Sequence, residues 1–90
     1  MTIYFLTSTM SEFRVTVNDD RTSTVERRSL MGIDFVDWMT CHDVGSLRIG
    51  ERFAGVDVSG REMSTSAVIK ILIDDQSVDS YDASSYTAAL

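Results

Sequence analysis

Apolar and polar residues alternate with period two along Phe13-Arg14-Val15-Thr16-Val17. That sets Phe13, Val15 and Val17 on one face of a strand and Arg14 and Thr16 on the other. Before it, Ile3-Tyr4-Phe5-Leu6 is a β-branched and aromatic run bounded by Thr and Ser, which predicts a short strand buried on both faces. Asn18-Asp19-Asp20-Arg21 brings residues that bond their own backbone and tolerate left-handed conformations, so the chain reverses there. Thr22 to Arg28 returns as a polar strand with little besides Val25 to bury, an edge strand guarded by Glu26, Arg27 and Arg28.

The period then changes. Phe35, Trp38, Met39 and His42 fall at offsets of three, four and seven, which predicts a one-sided helix over about Asp34 to Asp43. Asp34 suits its N-cap, Asp37 the positive end of its dipole, and Gly45 the left-handed residue beyond its end. Gly45, Gly50, Gly55 and Gly60 recur every five residues, but the residues between them do not repeat, so they read as turns and bulges. Ser59-Gly60 is the expected turn of a hairpin, with Phe53 to Val58 entering and Arg61 to Thr65 leaving. Ser66 to Ile73 is the most apolar segment, and its β-branched content suits a central strand. The expected fold is α+β: a curved antiparallel sheet of about five or six strands, ordered β-β-β-α-β-β-β, packed against one main helix through Phe35, Trp38 and Met39.

Ninety residues suffice for one small domain burying roughly 64% of its extended-chain surface. Residues 1–73 form the expected core. Residues 74–90 contain Asp74, Asp75, Asp79 and Asp82 with no basic residue, among several serines. This composition favours a frayed, disordered tail, with Val78, Tyr81 and Tyr86 able to pin part of it to a partner. Fourteen acidic against eight basic residues give a net charge of −6, unfavourable for direct nucleic-acid binding by counterion release. Seven arginines between Arg14 and Arg61 face eight acids in the same stretch, so no basic patch emerges. No apolar run approaches the about 20 residues of a membrane helix. The N-terminus also lacks the basic and apolar regions of a secretory signal. A soluble cytoplasmic protein is expected, and the lone Cys41 agrees with a reducing compartment.

Cys41-His42-Asp43 lines up a thiol, a base and a carboxylate, but helix neighbours point about 100° apart, so thiol and imidazole do not meet. One Cys and one His cannot build a structural zinc site. No phosphate-binding glycine motif occurs, and the single lysine, Lys70, lies within a predicted strand. Carboxylate pairs such as Asp34 with Asp37, or Glu51 with Asp57, are explained by capping and solvation. No catalytic residue, metal or cofactor is therefore expected.

Recognition through charge and shape remains. Asp19, Asp20, Asp74, Asp75, Asp79 and Asp82 are the candidate contacts for a basic protein surface, with Tyr81 and Tyr86 as aromatic anchors. Trp38, on the apolar stripe, is read as core. In size, acidity, absence of ligand motifs and mixed pattern, the chain is similar in general character to small inhibitors encoded by phages and mobile elements, anti-CRISPR proteins among them. That similarity rests on no residue motif. It implies a non-enzymatic inhibitor acting in the host cytoplasm, its partner a nucleic-acid-handling defence complex. The competing expectations are a structural or assembly subunit of a virion or multiprotein complex, homo-oligomers included, and then a small hydrolase.

Overall fold

A computed structural model describes residues 1–29, 32, 34–42 and 44–82. Nine strands run through them: β1 (Thr2–Thr7), β2 (Ser11–Val17), β3 (Ser23–Ser29), β4 (Val36–Cys41), β5 (Ser46–Arg48), β6 (Arg52–Val56), β7 (Glu62–Ile73), β8 (Gln76–Val78) and β9 (Ser80–Asp82). There is no helix among the described residues, so the α+β expectation is overturned and the fold is all-β. The main sheet has the order β4-β3-β2-β1-β7-β6, with β8 pairing β7 as well, and β5 with β9 forms a two-stranded sheet. Every pairing is antiparallel, and the sheet curls into a half-barrel.

The inner face follows from side-chain alternation. Cross-strand partners Ile73, Ile3, Val15, Val25 and Met39 form one apolar row across five strands. The next row is Ile71, Phe5 and Phe13, and the Phe5 and Phe13 rings stack with centroids 4.8 Å apart. Such cross-strand pairs are the unit of sheet stability. β1 is consequently not buried on both faces: Ile3, Phe5 and Thr7 point inward, while Tyr4 and Leu6 are half-buried on the outside. Nor is β3 an edge, since it lies between β2 and β4.

The segment expected to be a helix is β4, and a bulge explains the difference. Val25 pairs Met39 while Glu26 pairs Asp37, leaving Trp38 as the extra residue that a bulge inserts and re-aims. Trp38 and Met39 both pack against the core, and the Trp38 ring meets Phe13 edge-on at 5.0 Å. Phe35 goes to the opposite face, where the guanidinium groups of Arg14 and Arg28 lie 4.4 and 4.3 Å from its ring centroid. Two adjacent core residues preceded at three and four positions by an aromatic imitate a helical stripe. Asp43, the expected helix end, lies outside the described residues.

Glu62–Ile73 is one twelve-residue strand where two were expected. Its first half pairs β6 and its second half pairs β1. Between them the register slips, so that Leu6 pairs Lys70 and Thr7 pairs Val68, leaving Ile69 unpaired. This irregularity adds local bend and twist, which brings the far end of the sheet round toward β4. The hairpin closes at Asp57–Arg61, where the Gly60 amide donates to the Asp57 carbonyl at 2.8 Å and Gly60 adopts φ +91°.

The two ends of the strand order meet without a full ladder. The Val58 amide donates to the Thr40 carbonyl at 2.7 Å, and Trp38 lies 6.4 Å from Phe53. A Cβ on Gly55 would stand 2.7 Å from the Met39 methyl, so glycine there permits β6 to approach β4 closely. In the 74–90 segment, Asp74 and Asp75 make the turn into β8, and β9 places Tyr81 opposite Leu47, both buried. Residues 83–90, Tyr86 among them, lie outside the described residues.

Candidate functional site

Two turns flank the beginning of β1. The Val17 amide, at the end of β2, donates to the Met1 carbonyl at 3.2 Å, and the Asp74 amide, at the end of β7, donates to the Thr2 carbonyl at 3.4 Å. The β2–β3 turn carrying Asp19 and Asp20 and the β7–β8 turn carrying Asp74 and Asp75 therefore share one end of the sheet. All four residues are exposed, with Arg21 the cation in the first turn. Asp20 also braces its own turn, where its Oδ1 accepts the Thr22 hydroxyl at 2.6 Å and the Thr22 amide at 3.0 Å. Those bonds lower its pKa below the ordinary aspartate value and keep it charged. Asp74 and Asp75 have φ of 48° and 68°, the double left-handed form of a two-residue hairpin turn.

The remaining candidates lie elsewhere. Asp79 and Asp82 are exposed at the β8–β9 bend and on β9, where the Asp79 carbonyl accepts the Ile49 amide at 3.2 Å. Tyr81 is 4% exposed and belongs to the core. Cys41 is buried, its Sγ 3.8 Å from the Ser23 carbonyl, whereas the next residue, His42, is exposed. Asp57 holds the seam, accepting the Thr40 amide at 2.8 Å and the Ser59 amide at 3.0 Å. Among the described residues no group of three His, Cys, Asp or Glu is close enough to hold a metal ion.

The outer face is neutralised locally. Arg14 gives Nε and Nη2 to the two carboxylate oxygens of Glu26, both at 2.9 Å, and Arg28 contacts Glu12 at 2.9 and 3.1 Å. With both guanidinium groups against Phe35, this is a closed patch of paired charge over an aromatic ring.

A feature missed in the sequence lies at the opposite end of β2. Arg27 occupies an inner-face position, directly opposite Phe13 and in line with Phe5 and Ile71. Its Nη2 donates to the Ser11 hydroxyl at 3.2 Å over a cavity of about 220 Å³ whose floor includes Phe13 and Trp38. Thr9 and Ser66 stand at the rim with hydroxyls 2.8 Å apart, and Ser64 lines it too. The signal is present in the chain, because Ser23, Val25 and Arg27 share one face by alternation. The polar composition of β3 obscures it by suggesting an edge strand whose charges are all solvated.

Fold and surface together define an all-β half-barrel with an acidic end and, across the sheet, a hydroxyl-rich mouth. No family model, no curated protein and no solved structure matches the chain.

Proposed function

We propose that this is a non-enzymatic domain that docks its acidic end onto a basic protein surface, occlusion of a nucleic-acid-binding cleft being the form its inhibition takes. The observation that carries the reading is the placement of Asp19, Asp20, Asp74 and Asp75 on two turns flanking the same strand end. Four carboxylates held on short turns concentrate negative potential, which steers a basic partner into register and disfavours other partners. The host cytoplasm is the proposed setting. Among the described residues no helix is long and apolar enough to cross a membrane.

The variant D19N/D20N/D74N/D75G tests this directly. Asn preserves the side-chain acceptor of the first turn, and Asn-Gly suits the second, so charge is removed while the hairpins stay formed. Immobilised wild-type protein should retain from a host lysate a partner with a basic surface, identified by mass spectrometry. The variant, or wild type in half-molar salt, should release it. Retention that survives both changes refutes the electrostatic docking.

A second reading, self-assembly, is favoured by one observation. Val36 on the terminal strand β4, and Val56 and Val58 at the hairpin that meets it, are 63%, 53% and 53% exposed. Apolar residues on an incompletely paired strand edge invite another copy. Sedimentation that shifts with protein concentration and is insensitive to salt would select it over the acidic docking surface.

A further inference from the structure

We infer that the hydroxyl-rich mouth is a binding site for a tetrahedral oxyanion, phosphate or sulfate, free or carried as a monoester. Arg27 is the anomaly that points there. It continues the inner row of Ile71, Phe5 and Phe13, and its side chain is exposed at the open end of that row, beside the cavity. The two neighbouring strand arginines are occupied: Arg14 and Arg28 each hold a carboxylate and lie against Phe35. Arg27 has no carboxylate within ion-pair distance among the described residues, and its single hydrogen bond there is to the Ser11 hydroxyl. A guanidinium presents five N–H donors in a fixed fork that matches oxyanions. One bond to Ser11 leaves most of that fork available beside the cavity.

The surroundings suit the same chemistry. Among the described residues no carboxylate lines the cavity, although the chain carries a net charge of −6. Apart from Arg27 and the Trp38 indole, the polar groups on the lining side chains are hydroxyls. Those of Thr9, Ser11, Ser64 and Ser66 can turn their protons toward an incoming oxygen. The volume of about 220 Å³ lies below the usual range for drug-sized ligands, roughly 300–1,000 Å³. It accommodates a phosphate group and a short substituent lying over Trp38. This site is independent of the acidic end, which lies beyond the other end of β2.

Trp38 is the only tryptophan of the chain and lines the cavity, so its fluorescence reports directly on occupancy. The full chain is titrated with inorganic phosphate, sulfate and glycerol 1-phosphate, with sodium chloride at matched ionic strength as reference. A saturable change with the oxyanions, absent with chloride, is expected, and the tighter of phosphate and glycerol 1-phosphate distinguishes free anion from monoester. Arg27→Ala should weaken binding at least about tenfold, the loss of one charged hydrogen-bonding partner. Arg27→Lys should fall between the two, keeping charge without the fork. The Trp38 indole and the Thr9 and Ser66 amides should shift together in NMR spectra of the wild type, and Ser66→Ala should weaken binding more mildly. No saturable change, an equal response to chloride, or unaltered binding by a folded Arg27→Ala protein overturns the assignment. Loss of the response in D19N/D20N/D74N/D75G also overturns it, by locating the anion effect at the other end.

Discussion

The Asp57 carboxylate accepts the Thr40 amide at 2.8 Å, joining the β6–β7 hairpin to the strand at the other end of the sheet order. The Val58 amide and Thr40 carbonyl, 2.7 Å apart, make the adjoining bond. Asp57 thus supplies by side chain what a further strand would supply by backbone. Its pKa lies at about 2, below the ordinary 3.8, chiefly because the Ser59 hydroxyl donates to it, with the Thr40 and Ser59 amides adding to the effect. A carboxylate depressed on folding contributes stability above its unfolded pKa and loses it as pH falls through the folded value. The contribution should therefore be constant above about pH 5 and disappear between 3.8 and about 2. Urea midpoints of Asp57→Asn and wild type should differ at pH 7 and converge near the lower limit. A difference that persists unchanged at the lower limit would show that the charge of Asp57 does not support the seam.

Phe53 is 1% exposed and lies 5.3 Å from Phe5 and 6.4 Å from Trp38 by ring centroids. It is the aromatic bridge between the middle of the curled sheet and its terminal strand β4. Phe53→Ala should cost about 3–5 kcal/mol in urea unfolding, the range for emptying a buried aromatic site. Phe53→Leu should cost appreciably less. Equal, small losses for both would mean that the sheet does not curl tightly enough to bury this ring.

Cys41 and His42 give opposite expectations from adjacent positions. The thiol, 1% exposed, should be labelled by a thiol reagent only as fast as the β3–β4 region opens, and at once in denaturant. His42 is exposed, and His42→Ala should change stability by less than about 0.5 kcal/mol. Rapid native-state labelling of Cys41 would contradict the inward placement of β4.

Much of the first half of the fold was legible in the chain. Strict alternation in 13–17 placed Phe13 and Val15 inward, and Asn18 to Arg21 reverses the chain as expected, with the Arg21 amide donating to the Asn18 carbonyl at 3.1 Å. The Ser59-Gly60 hairpin was legible for the same reason, since turn chemistry and period are local properties. The helix over Asp34 to Asp43 failed because period assumes an unbroken ladder. A bulge at Trp38 adds one residue on the core side, and its pattern of apolar spacings coincides with a helical one.

The acidic residues, and the turn that carries Asp19 and Asp20, were legible in the sequence alone, because charge and left-handed propensity belong to individual residues, whereas the Asp74–Asp75 turn was hidden by a composition that suggested a frayed tail. Which of those charges stand together was a tertiary matter. Antiparallel pairing set the β2–β3 and β7–β8 turns on either side of β1, while Tyr81 was drawn into the core. Arg27 shows the same division most sharply. Alternation assigned it a face, but only the curl of the sheet made that face the wall of a cavity, since concavity arises from strands far apart in the chain.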